Sequence, residues 1–184
     1  EEWRLQCLLS ALRRTVRREE GRKGEPSALI VDCQSVATSR TGGISSYDAY
    51  KNVKGRKRHL AVDTEGLPWN VLVHAAGDHE SRWALQVLTP IRGRTDRDKT
   101  VFADSAYRGL EGEIKNKLDW TLDIVEREDE DSGFSVDPKR WIVERTFSWL
   151  GGWRRLNRDY EQKTDTSETM VRAALLRIAL SRLS

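Results

Sequence analysis

Residues 28–36 read "ALIVDCQSV", and the reading of this run decides the fold. It is apolar without alternation, which predicts a strand buried on both faces. A Gly- and Pro-rich linker, "EGRKGEPS" (20–27), precedes it and a polar stretch follows. Within the run sits Asp32, between Val31 and Cys33. A buried carboxylate with no partner is costly and tends to hold its proton, so Asp32 needs either a neighbour or a cation.

Working outward, residues 59–77, "HLAVDTEGLPWNVLVHAAG", predict two strands around a "DTEGLP" turn. "KTVFADSAY" (99–107) predicts a further buried strand that ends on Asp104, and "WTLDIVERE" (120–128) another. Helices are expected over 1–20, from 79 to about 91 with Asp78 as its cap, over 109–118, from 138 to 150, and over 170–183. The first is read as amphipathic, with leucines on one face and arginines behind. Asp137-Pro138 is read as the start of the fourth, Gly151-Gly152 as its end, and Asp165 to Glu168 as a capping box for the last. "EREDEDSG" (126–133) is read as a solvated loop. The order is three strands, then helix, strand, helix, strand and helix. It predicts an α/β protein with a mixed five-stranded sheet flanked by helices, a meander followed by crossovers.

The length of 184 residues suits one domain with its own core. Charged residues make up 33% and the formal net charge is +3, which permits a polyanionic partner without requiring one. The two cysteines, Cys7 and Cys33, form no CxxC and no zinc ligand set, so a reducing cytoplasm is expected. No apolar stretch is long enough for a membrane span. The chain opens on Glu1 and its sole methionine is Met170, so the natural amino terminus is expected to lie upstream.

Asp32 inside the first strand and Asp104 at the end of another fall where α/β sheets gather ligands. Glu144 follows Val143 on a helix whose Val143, Phe147 and Leu150 form an apolar stripe, which places Glu144 at the rim of that stripe. Two aspartates and a glutamate would suit a pair of Mg²⁺ ions, or Mn²⁺ in their place, for in-line attack on phosphorus. Asp63, equally strand-terminal, is read as a turn residue instead. Residue types and spacing alone leave that triad only one possibility.

The motifs carry more. "VDCQSV" with a following "GG", "YDAYKNVKGRKRHLAVDTEGLP", "FADSAYRG" and "RWIVERTFSWLGGWRRLNRDYE" closely resemble the bacterial insertion-sequence DDE transposases, in the insertion-sequence-five branch. The likeness runs from about residue 28 to about 162 without large gaps. It implies an RNase H-like catalytic domain in which Asp32, Asp104 and Glu144 are the catalytic acids and bind Mg²⁺ for strand cleavage and transfer. Tyr107 matches the aromatic position after the second aspartate. The third motif of the family runs Tyr, two residues, Arg, three residues, Glu, six residues, Lys. Arg140 and Glu144 match it, whereas Asp137 and Gly151 stand at the tyrosine and lysine positions. Arg154 or Arg155 is expected to replace the missing lysine. Asp104 and Glu144 are too close in sequence for the large β insertion of some relatives.

Lys51, Lys54, Arg56, Lys57, Arg58 and His59 are read as a flexible basic loop that contacts DNA phosphates. Arg140, Arg145, Arg154, Arg155 and Arg158 are read as a second basic surface. His59, His74 and His79 show no ligand spacing and are read as surface or hairpin residues. Residues 1–24 are expected to be a helix and linker left from an upstream DNA-binding region, 25–162 the catalytic domain, and 163–184 a helix packed on it. The expected partners are double-stranded DNA, as transposon terminal inverted repeats and target, and a second copy of the chain when DNA is bound. The expected location is the bacterial cytoplasm, at the nucleoid. Two other classes fit some of these residues: a truncated end-binding repressor and an RNase H-like host nuclease. The intact triad argues against the first and the specific third motif against the second.

Overall fold

The computed structural model describes residues 2–40, 43–95, 97, 99–125 and 139–183. In chain order the main elements are α1 (Glu2–Glu19), β1 (Ala28–Ala37), β2 (Ser46–Asp48), β3 (Val53–Asp63), β4 (Pro68–Ala75), α2 (Ala84–Arg92), β5 (Thr100–Ala103), α3 (Glu111–Leu118), β6 (Thr121–Ile124), α4 (Arg140–Gly151) and α5 (Thr164–Leu180). β4, β3 and β1 form an antiparallel meander, and β5 and β6 continue the sheet parallel to β1. The mixed sheet flanked by helices is the expected architecture. Short β2, paired with the start of β3, is a sixth strand that the polar composition of its stretch concealed.

β1 occupies the centre because it is apolar toward both layers. Leu29 and Val31 face a core built with α2, α3, Trp69 and Trp120. Ile30 points the other way, into a core shared with Val143, Phe147 and Leu150 of α4 and Val171 and Leu175 of α5. The stripe expected on α4 is therefore the one buried. Gly152 caps α4 at its end, while Asp137-Pro138 and "EREDEDSG" lie outside the described residues.

Asp63 is the turn residue expected. Its Oδ1 accepts from the backbone N–H groups of Glu65 and Leu67, and its Oδ2 from Arg17 at 2.9 Å and the Trp69 indole at 3.2 Å. That reach of Arg17 corrects the reading of α1. Arg13 and Arg17 lie on its buried face with Leu9 and Val16, because each finds a fixed acceptor: Arg13 donates to the Pro68 carbonyl at 2.7 Å.

Two cap assignments are also corrected. His79, rather than Asp78, caps the short 3-10 helix Glu80–Trp83 that leads into α2. Glu168 caps nothing. It lies inside α5, where one oxygen accepts from the Val73 N–H at 2.9 Å and the other pairs with Arg172 at 2.9 Å. Arg172 in turn donates to the Val71 carbonyl at 3.0 Å.

Candidate active site

Parallel pairing sets Ala28, Leu29 and Ile30 level with Thr100, Val101 and Phe102. Continued by two residues, this register sets Asp32 level with Asp104, roughly one interstrand spacing of about 4.8 Å away. Side chains alternate along a strand, so Asp32 shares the face of Ile30, which α4 covers. Asp104 comes directly after β5 with an extended backbone. Its Oδ1 accepts from the Ala106 N–H at 3.0 Å and caps the 3-10 turn Ser105–Tyr107. The local reason for an aspartate there is the cap.

Burial pushes the Asp32 carboxyl up to about 7; the Cys33 N–H, donating to Oδ1 at 2.7 Å, opposes this, while Asp104 adds to it. The positive charges of Arg140 and Lys51 pull the other way. A buried carboxyl group beside a second carboxylate has the donor chemistry of a hard divalent cation site. Glu144 is not gathered with them. It is exposed on the first turns of α4, with Arg140 Nη2 3.5 Å from its Oε1. Among the described residues, no three His, Cys, Asp or Glu side chains stand close enough to hold a metal ion. The structure thus joins two of the three expected acids and ties the third to the arginine that Asp32 senses.

The reading of 51–59 as a flexible loop is corrected: from Val53 onward the segment is strand β3, and most of its cations are internal. Arg56 is fully buried, 3.1 Å from Asp159, and donates to the carbonyls of Ile44 and Gln162. Arg58 donates to the Leu156 carbonyl at 2.7 Å. Lys57 pairs with Glu80 at 3.2 Å and lies 3.7 Å from Asp48. His59 is buried too, its Nε2 3.4 Å from the Tyr107 hydroxyl and its ring against His74. His59 and His74 are therefore core residues, not surface ones. These side chains face protein atoms rather than solvent.

Lys51 and Lys54 remain exposed, and Lys51 Nζ donates to the Cys33 carbonyl at 3.3 Å, next to Asp32. On the second basic surface, Arg145 is drawn to the β3–β4 turn by the Glu65 carbonyl and lies over Trp149. Arg155 pairs with Glu161 at 2.6 Å, and Arg154 is exposed. Tyr107 is fully buried and anchors the turn that carries Asp104. Arg40, exposed just past β1, belongs to no sequence motif and was not singled out by spacing or charge clustering.

Comparison with known proteins follows the same course. The sequence model of the family described as "Transposase DDE domain" matches residues 23–178. A Burkholderia cepacia protein assigned as transposase for insertion sequence element IS402 is 26% identical over 170 residues, covering 85% of this chain and 79% of that protein. Among solved structures, the catalytic core domain of BIV integrase aligns over 85% of this chain and 82% of its own with a TM-score of 0.43 and 13% identity. On the family match, which spans most of its length, this chain belongs to the DDE-domain transposases.

Proposed function

We propose that Asp32, Asp104 and Glu144 are the catalytic acids of this transposase, which cleaves DNA strands at transposon ends and joins them to target DNA. The observation that supports this most is the register of β1 and β5, which levels Asp32 within β1 with Asp104 just past the end of β5. Domains of this family depend on a divalent metal, and oxygen donors alone favour Mg²⁺, with Mn²⁺ as substitute. When bound by Asp32 and Asp104, Mg²⁺ supplies Lewis acidity toward the attacking and leaving oxygens of an in-line displacement.

The chain's own residues do the rest. Asp104 keeps its place through the Ala106 cap and the buried Tyr107. Arg140 is held by Glu144 until a DNA phosphate competes for its guanidinium, and that exchange frees Glu144 to turn toward the aspartates. Lys51, beside Asp32, contacts the same phosphate. Arg154 and Arg155 lie beyond Gly151, where the family motif has its lysine, and engage the transposon end.

The DNA partners on this reading are terminal inverted repeats and a target duplex, with two copies of the chain bringing two ends together at the bacterial nucleoid. The resemblance of the motifs to the insertion-sequence-five branch supports assigning the chain there on this reading. Among the described residues no helix is long and apolar enough to cross a membrane.

Nicking of a labelled transposon-end duplex in Mn²⁺ tests the assignment. Asp104→Ala and Glu144→Ala should each abolish nicking and leave duplex binding within a few fold of the parent. Nicking that survives both substitutions sinks the assignment.

A further inference from the structure

Sequence order separates the two basic stretches by about a hundred residues, yet the fold joins them. The Asp159 N–H donates to the Ala37 carbonyl at 2.9 Å and the Ser39 N–H to the Asp159 carbonyl at 2.8 Å, with Thr38 and Asp159 in a parallel bridge. The segment after α4 is thereby stitched to the outgoing end of β1. Asp159 turns inward, where Arg56 and Ser167 take its carboxylate. Its neighbour Arg158 is exposed, so the acid of the segment is neutralised inside and the base is left outside.

Arg158 opens onto a groove of about 660 Å³, together with Arg40 from the end of β1 and Lys54 from the start of β3. Ser45 and Asn52 add a hydroxyl and an amide, and among the described residues no acidic one lines it. None of the three cations forms an ion pair with a described residue. Solvated surface cations are common, but these converge from three separate stretches on one concavity and are not offset by an acid there. Like charges gathered in that way raise the local potential and favour a polyanion.

We infer that this groove is a second DNA contact, a track for backbone phosphates set apart from the carboxylates. The inference rests on the proposed strand-cleaving function. Ala37 lies five residues beyond Asp32 on one strand, about 16 Å at roughly 3.3 Å per residue. A duplex engaged at both places therefore spans at least about five base pairs, at roughly 3.4 Å each. Guanidinium and ammonium groups bind the phosphates, and Ser45 and Asn52 donate to their oxygens, so the contact is indifferent to base sequence.

The test is fluorescence anisotropy of the full chain on a labelled duplex of arbitrary sequence, between about 50 and about 200 mM salt. Arg40→Ala, Lys54→Ala and Arg158→Ala should each lower the slope of log K against log salt by about one. Lys54→Arg should keep the parent slope, as should Lys117→Ala on distant α3. Thermal melts matching the parent show that the variants are folded. Parent slopes in all three alanine variants overturn the groove. Asp104→Ala run in parallel separates the two readings, because it should bind with the parent slope and fail to nick. Nicking unaffected by Asp104→Ala overturns the catalytic reading instead, whatever the groove variants do.

Discussion

Arg56 Nη1 lies 3.1 Å from Asp159 Oδ1, and neither side chain is exposed to solvent. The pair fastens the middle of the sheet to the segment that follows α4, across about a hundred residues of chain. Losing one partner strands the other charge in a place water cannot reach. Asp159→Asn or Arg56→Met should each destabilise the fold by roughly 3–5 kcal/mol. The double variant should recover part of that loss. Urea denaturation of the four proteins as a cycle measures the coupling, and strictly additive losses would contradict it.

Gly55 of β3 is paired with Ala37 of β1, and its α-carbon faces the β1 backbone. A Cβ there would sit 1.9 Å from the Val36 carbonyl oxygen and 2.9 Å from Ala37 Cα. Both are backbone atoms, so only a shift of a whole strand can relieve the clash. Gly55→Ala should cost at least about 1–3 kcal/mol. Gly151→Ala, with open space around its added methyl, should cost far less. Chemical denaturation of both variants under one set of conditions checks the contrast.

His59 is held neutral. Burial lowers its proton affinity well below the usual histidine range, and His74, Lys57 and Lys51 lower it further. His74 is lowered as well, mainly by burial, although the Ala75 carbonyl and Asp78 oppose this. The unfolded chain therefore takes up protons here before the folded one does. Stability should be fully present above about pH 6.5 and fall as the pH drops below it. Melting temperatures at about pH 7.5 and about pH 5 should show the fall, and His59→Gln should shrink it.

Asp32 has the opposite sign in the metal-free protein. Its carboxyl, pushed up to about 7, holds a proton in the folded chain that the unfolded chain has already lost. Its contribution is most favourable below about pH 4 and is lost as the pH rises toward 7. Asp32→Asn should therefore melt higher than the parent at about pH 8, and the difference should vanish toward about pH 4. An asparagine variant no more stable than the parent at the higher pH would count against a poorly hydrated Asp32.

The elements that read plainly in the sequence are those whose signal is local. "ALIVDCQSV" is apolar throughout, "DTEGLP" is a turn, and the stripe of Val143, Phe147 and Leu150 repeats at helical spacing. Asp32 could be placed inside a strand and Asp104 at the end of one for the same reason. The first half of β3 was hidden because the residues that make Arg56, Lys57 and Arg58 internal come from elsewhere: Asp159, Glu80 and the Leu156 carbonyl. A run of cations has no period that marks it as strand. Glu168 was misread in the same way, since a D-x-x-E spacing looks alike whether the carboxylate serves its own helix or a strand 95 residues away. The position of Glu144 against Arg140 was not legible either, because a rotamer is chosen by neighbours and not by spacing.

The pair Glu168 and Arg172 has one more effect. Among the described residues β4 pairs only with β3 along its length, so its other side is a sheet edge. Exposed N–H and C=O groups on such an edge are a template for another chain. Here Glu168 takes the Val73 N–H and Arg172 takes the Val71 carbonyl. One helical turn of charged side chains stands in for the missing strand and closes the edge to uncontrolled polymerisation. The chain can thus be concentrated without its sheets adding to one another.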